Sequence, residues 1–442
     1  MILDDLGHES SGGTETRSMR VRWRDQEATL AVTAPPGVLG HSDDATPFVT
    51  MCLLPAMVFH EDLAVVDATV DRARVQPLDD VVTLWTQWNP SLRAPRMTAP
   101  LADRSTEPPG RGTGAFFSRG VDSMFSALVE RRSSPVGRFD HLVFVDGIEP
   151  VHSPTTRAVE IERATAAAAE IDLPLVVVTS TVRSFTDRFR GWGDCHGAAL
   201  AGVATSLGGL VDTMVVPSTD GITSIVPYGS SPFIDHRFST ADVRVVHDDV
   251  IAGRMGKVAA IATQRPDLLP WLKVCSALDG PDNCGRCGKC LLTMAALVAC
   301  DALDAATAFP PTIDLDLLAA ERVNPLQSRV HWSEVLLALG ETGHQGAVRA
   351  AMAESLRRSA RPTAVRRARY AFDWARGARG RPSPSWRDPE RSFDWRFSSE
   401  TLRLLVHGGP ERSLPPHAEH PRPGPPLREP AVASEDQTVQ PE

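Results

Sequence analysis

No apolar run in this chain is long and clean enough to cross a bilayer. The longest, Ala198 to Pro217, is broken by Gly208-Gly209 and Asp212 and reads as a helix followed by a strand. Positive charge is in deficit, with 46 Lys and Arg against 55 Asp and Glu for a net −9, so indiscriminate nucleic-acid binding is not expected. Met1 to Arg17 is polar and acidic and lacks the apolar core of a signal peptide. Cysteine is scarce, seven in 442 residues, and four of the seven fall between Cys275 and Cys290. That distribution suits a reducing cytoplasm and a metal site better than a disulfide scaffold. What remains, 42% hydrophobic and 23% charged, suits two or three domains with ordinary cores.

Residues 1–18, rich in Gly, Ser and acids, are expected to be loose. From Met19 the pattern alternates at Val21, Trp23, Ala28, Leu30 and Val32 around a polar turn at Arg24-Asp25-Gln26, a hairpin signature. Apolar segments at Phe48 to Leu54 and Leu63 to Val70 and a helix over Asp80 to Trp88 complete a small β-rich domain, 19–109, ended by Pro108-Pro109-Gly110. Strand and helix patterns then alternate. His141 to Gly147, Leu173 to Thr179 and Leu210 to Pro217 read as strands, and Thr156 to Ile171 and His196 to Leu207 as helices. Continuous apolar strands separated by helices predict an α/β fold, a doubly wound parallel sheet covered on both faces, over 110–305. Pro217 to Val258 looks loop-like. Ile313 to Ser359 reads as two or three helices of an extension, 306–407, whose Arg-rich part from Leu356 to Arg379 is expected to be a solvated helix face. A Pro-rich tail, 408–442, is expected to be disordered.

Two stretches carry chemistry. Thr113 to Leu128, TGAFFSRGVDSMFSAL, runs from an apolar strand through Ser118-Arg119-Gly120-Val121-Asp122-Ser123 into a helical pattern. Strand, small-residue turn and helix start together make an anion site, because the turn's N–H groups and the helix dipole favour negative charge. Ser118 and Ser123 add hydroxyls, and Asp122 can cap the helix or help hold a metal near phosphates. The Gly-Lys-Ser/Thr ending of a Walker loop is missing. The second stretch is Cys275-x8-Cys284-x2-Cys287-x2-Cys290. Gly285 and Gly288 let the backbone turn tightly, and four thiolates suit a closed, structural Zn²⁺ site; an iron–sulfur cluster accepts the same ligands but prefers other spacings. Cys52, Cys195 and Cys300 stand apart and read as buried thiols. Gly253-Arg254-Met255-Gly256-Lys257 opens a further helix with two cations at its positive end, an arrangement that a nearby anion would relieve.

The loop Ser118 to Ser123 resembles the SGGxDS signature of the PP-loop ATP pyrophosphatases, with Arg119 where that family has its second glycine. The cysteine spacing and its place after the nucleotide-binding sheet are similar to those of the 7-cyano-7-deazaguanine synthases, and the resemblance spans about Thr113 to Leu303. It implies an adenine nucleotide alpha hydrolase-like sheet that binds ATP and Mg²⁺, with pyrophosphate held by Ser118, Arg119, Gly120, Val121, Asp122 and Ser123. It places Asp146 and Gly147 beside the adenosine and makes Lys257 and Arg254 phosphate or intermediate contacts. Arg119 either adds charge to that site or holds the backbone off it. The second strand ends in Val145-Asp146-Gly147, not the aromatic-Gly-Gln of the synthases, and Leu292 replaces the arginine often found there, so their substrate is not carried over.

The activity expected is adenylation of a carboxylate with release of pyrophosphate, followed by C–N bond formation. Ser118, Asp122, Ser123 and Lys257 would serve catalysis. The expected partners are a small-molecule acid and ammonia or an amine donor, with no nucleic acid or membrane and with a homodimer left open. The rivals are sulfur transfer to tRNA through Cys195, and an inactive nucleotide-binding or interaction module.

Overall fold

The computed structural model describes residues 1–40, 43–104, 111–128, 136–149, 153–248, 250–277, 280, 282–323 and 326–360. Pro108-Pro109-Gly110, the Arg-rich segment beyond 360 and the Pro-rich tail lie outside them. Three antiparallel strands open the chain: β1 (Ile2–Ser11), β2 (Thr14–Trp23) and β3 (Gln26–Ala34). The hairpin between β2 and β3 is the expected one, with Trp23 paired to Gln26. The loose segment expected over 1–18 is instead strand. Gly12 and Gly13 both adopt positive φ, +61° and +80°, which is what a two-residue turn twisted to match its strands requires. Composition understated this segment because few apolar contacts are needed once a neighbouring strand supplies the hydrogen bonds.

Helices α1 (Thr46–Phe59) and α2 (Val75–Trp88) follow, with the short strands β4 (Leu63–Val65), β5 (Val70–Asp71), β6 (Met97–Thr98) and β7 (Leu101–Ala102). The apolar run Phe48 to Leu54 is thus helical, and α1 is buried from Thr46 to Met57. Then comes the alternating part: β8 (Thr113–Phe116), α3 (Val121–Leu128), β9 (His141–Asp146), α4 (Pro154–Glu170), β10 (Leu175–Ser180), α5 (Val182–Thr186), α6 (Trp192–Ser206), β11 (Thr213–Val216), β12 (Arg244–His247) and α7 (Arg254–Gln264). β12 lies inside the stretch that reads as loop; four residues give too short a pattern to register. Helices α8 (Gly288–Ala299), α9 (Leu315–Ala320), α10 (Leu326–Ala338) and α11 (Gly343–Ala360) complete the described chain, none of them long and apolar enough to cross a membrane.

Ten strands form one sheet in the order β12-β11-β8-β9-β10-β3-β2-β1-β4-β6. The five from β12 to β10 are parallel, and β10 pairs antiparallel with β3 through Thr179–Thr33 and Ser180–Val32, so the N-terminal meander extends the same sheet. Period-2 alternation sorts side chains between two cores. Phe116, Val143, Met214 and Val216 pack on one face with α1 and α6. Ala115, Phe117, Leu142 and Val215 pack on the other with α3, α7 and α8. Both faces are covered, as the apolar strands require.

The chain leaves β8 for β9 and β10 on one side, then returns to β11 and β12 on the other. β8 and β11 therefore flank the point where the winding reverses, and sheets of this kind open a crevice there at the carboxyl ends of their strands. Gly147 shows how tightly those ends are built. Its φ is +94°, and a Cβ on it would lie 2.3 Å from the Ser180 carbonyl oxygen. Gly147→Ala is expected to destabilise the fold by about 2–4 kcal/mol, from left-handed strain plus overpacking, measured by chemical denaturation.

Candidate functional site: an anion loop and a four-cysteine cluster on one cavity

The cavity at the strand ends has a volume of about 430 Å³. Ser118, Gly120, Val121 and Asp122 line it after β8, and Asp146 and Gly147 line it at the end of β9. Thr219 follows β11, Arg254 opens α7, and Cys275 comes from the cysteine cluster. The predicted residues from four separate stretches of sequence thus meet around one space. Ser123 and Lys257 support it from beneath. Ser123 Oγ accepts from the Ser118 N–H at 3.2 Å, and the Gly120 N–H reaches Ser118 Oγ at 3.4 Å. Met124 makes the first bond back along α3, to the Gly120 oxygen at 2.9 Å, so the amides of Val121, Asp122 and Ser123 belong to the helix's open first turn.

Asp122 is the electrostatic hinge. Its Oδ1 accepts from Lys257 Nζ and its Oδ2 from an Arg254 guanidinium nitrogen, each at 3.1 Å. Burial pushes the Asp122 carboxyl up, but the Arg254 and Lys257 charges outweigh it and hold the group below its ordinary value. Lys257 is only 1% exposed; it also donates to the Ser218 carbonyl oxygen and lies 5.9 Å from the centre of the Phe125 ring. The anion expected at the start of α7 is therefore partly the protein's own. Glu334 of α10 adds to it: a Cβ on Gly253, the N-cap residue before α7, would sit 2.3 Å from Glu334 Oε1. Two carboxylates thus face these two cations, and it is the open first turn of α3 that offers unpaired N–H groups to an anion in the cavity.

Arg119 takes neither role considered for it. Its backbone is left-handed, φ +61°, the conformation that glycine would adopt without strain. The side chain turns away from the cavity and is 1% exposed. It donates to Glu160 of α4 and to the Trp271 carbonyl oxygen at 3.4 Å. The guanidinium is thus absent from the residues lining the cavity, and Gly120 and Asp122 reach that space past it.

Four sulfurs gather beside this loop. The ligand atoms of Cys275, Cys284, Cys287 and Cys290 all lie within 4.8 Å of one another, and Cys284 and Cys290 Sγ are 3.8 Å apart. A tetrahedral zinc with bonds of about 2.3 Å would set its sulfurs about 3.8 Å apart, so this donor set could hold such a metal. N–H groups already point at the sulfurs, from Ala277 to Cys275 at 3.4 Å and from Cys287 to Cys284 at 3.3 Å. A hydrogen bond from Cys290 holds the Cys287 thiol down to about 5, against the opposing effect of burial. α8 starts at Gly288, which puts Cys290 in its first turn.

Several contributors were not singled out in the sequence. Asn283 clamps the first ligand: its Oδ1 accepts from the N–H groups of Val274 and Cys275 at 2.8 and 3.1 Å, and its Nδ2 donates to the Leu272 oxygen at 2.8 Å. His331 and Trp332 of α10 line the cavity, and His331 Nε2 lies 3.1 Å from Asp220 Oδ1. Tyr228 lines it too, its hydroxyl pushed up to about 12 by burial and so kept protonated. No local pattern marks a lone Asn, His or Tyr; only the fold brings them here. Cys195 is absent from the lining residues, and burial pushes its thiol well up.

Cys290→Ser is expected to abolish tight metal binding, and Asn283→Ala to weaken it by roughly 10- to 100-fold, as loss of a group that orients a ligand does. Competition with a chromophoric chelator reads both; unchanged affinity in Cys290→Ser would remove it from the ligand set. Compared with protein-family models, with curated proteins and with solved structures, the chain matches none, so its functional reading rests on these residues and their geometry.

Proposed function

We propose that this protein is an ATP-dependent adenylating enzyme that activates a carboxylate and joins it to ammonia or an amine, releasing pyrophosphate and AMP. The observation that carries the reading is the convergence at the winding reversal: an open helix turn, two cations bonded to one aspartate, and the end of β9 on one cavity. ATP with Mg²⁺ would lie across the strand ends, its β- and γ-phosphates at Ser118 to Ser123 and its adenosine toward Asp146 and Gly147. Arg254 and Lys257 would offset the negative charge of the departing pyrophosphate, and their fixed positions would spare reorganisation during the displacement. The four cysteines would hold Zn²⁺ as a structural ion with no open position for water. Such a cluster of reduced thiols fits a cytoplasmic setting.

In the second step the nitrogen attacks the acyl carbon, the C–O bond to AMP breaks, and AMP leaves with the bonding pair. The proton released by nitrogen needs an acceptor. His331, on the cavity wall, would supply one: with Asp220 accepting from Nε2–H, the lone pair stands on Nδ1. Sulfur transfer to tRNA is disfavoured because Cys195, its only sulfur candidate, is buried away from the cavity.

Calorimetric titration of Mg²⁺–ATP, with AMP as control, tests the site, and ATP–pyrophosphate exchange over a panel of carboxylic acids tests the chemistry. Ser118→Ala is expected to abolish exchange while leaving the fold and bound metal intact, and Asp122→Ala to abolish it with a loss of stability, because buried Lys257 then lacks its carboxylate; full exchange in either would overturn the site assignment. His331→Gln is expected to keep exchange but slow amine-dependent AMP release by about 10²-fold or more. Equal slowing of both steps would deny His331 its separate role.

A further inference from the structure

The metal ligands and the anion loop share a seam. Trp271 to Cys275 runs alongside Arg119, whose carbonyl oxygen accepts from the Lys273 N–H at 3.0 Å and whose guanidinium donates to the Trp271 oxygen. Two residues past Lys273 the chain reaches Cys275, the first thiol. Asn283 clamps this segment from the other side, and Lys273 Nζ reaches the Asp282 oxygen at 2.9 Å, next to that clamp. Glu160 ties the seam to α4, bonding Arg119 and lying 3.7 Å from Lys273 Nζ. The cysteine loop, its clamp and the anion loop are therefore one hydrogen-bonded unit.

Arg119 is the unusual member. Its φ of +61° would suit glycine better, and a non-glycine residue persists there only when its surroundings over-determine the backbone. Those surroundings are Glu160 and the segment leading to Cys275. A glycine could not make the side-chain half of this connection.

We propose that Arg119 is a positioning residue that couples occupation of the four-cysteine site to the shape of the anion loop. A metal on Cys275 fixes Trp271 to Cys275, which keeps Arg119 left-handed and the first turn of α3 open to the cavity. Without the metal the segment loosens and the loop loses its preorganisation. For its effect on ATP this rests on the function proposed above; the link between metal and loop does not. Such couplings are reciprocal, so a metal that strengthens nucleotide binding is itself held more tightly when nucleotide is bound.

Hydrogen–deuterium exchange on the full chain, zinc-loaded and chelator-stripped, tests the link through peptides covering 117–125, with the β2–β3 hairpin as reference. Stripping zinc is expected to raise exchange in 117–125 about tenfold and to weaken Mg²⁺–ATP binding by roughly 5- to 150-fold, the usual range for such couplings. Arg119→Gly and Glu160→Gln should still bind zinc, with the zinc-dependence of loop exchange at least about threefold smaller, because only the backbone half of the seam survives. Unchanged exchange in 117–125, an equal rise in the reference hairpin, or undiminished zinc-dependence in both variants would overturn the proposal. A loop that responds to zinc in protein that binds no Mg²⁺–ATP would uphold the coupling and overturn the nucleotide reading.

Discussion

The geometry of the cavity depends on Asp122 standing between Arg254 and Lys257. Two cations at the positive end of α7 would repel both that helix end and each other. The aspartate, at the start of α3, removes that repulsion and fixes the angle between the two helices that carry the site. Burying the Lys257 ammonium almost fully would be costly without such a partner. Beside this cluster stand the open amides of the first turn of α3, which attract anions.

Four of the five parallel strands were legible, β9 and β10 because six apolar-rich residues show their pattern and β11 because it lies within the apolar run Leu210 to Pro217, whereas β12, RVVH, is bounded by polar residues. The cysteine cluster was legible for a different reason: four ligands close in sequence must be close in space. β1 was not, since Gly12-Gly13 was read as looseness when it is a turn, and a polar strand paired to a neighbour leaves little trace in composition. The anion loop was placed correctly as strand, turn and helix start, but the direction of the Arg119 side chain depends on Glu160, forty-one positions later, and on Trp271. Long-range partners of this kind have no local signature.

The C-terminal helices show the same limit more sharply. Read alone, Ile313 to Ser359 is a set of amphipathic helices without chemistry. In the fold, α10 brings His331 and Trp332 to the cavity wall and Glu334 to the start of α7. The site is thus closed by a helix far along the chain from the anion loop, and whatever enters must fit against α10 as well.

The wide sheet also has a bearing on how copies of the chain meet. A five-stranded parallel sheet would leave β10 with a row of unpaired N–H and C=O groups ready to zip onto another molecule. Here the antiparallel meander meets β10 at Thr179 and Ser180, and the sheet then runs on through β4 to β6, which is two residues long. At the opposite margin β12 offers four residues. Among the described residues, both end strands are too short to template a neighbour, and the outer side of β1 beyond Leu3, which β4 does not reach, is largely polar, so the breadth of the sheet brings little tendency to grow edge to edge into fibres.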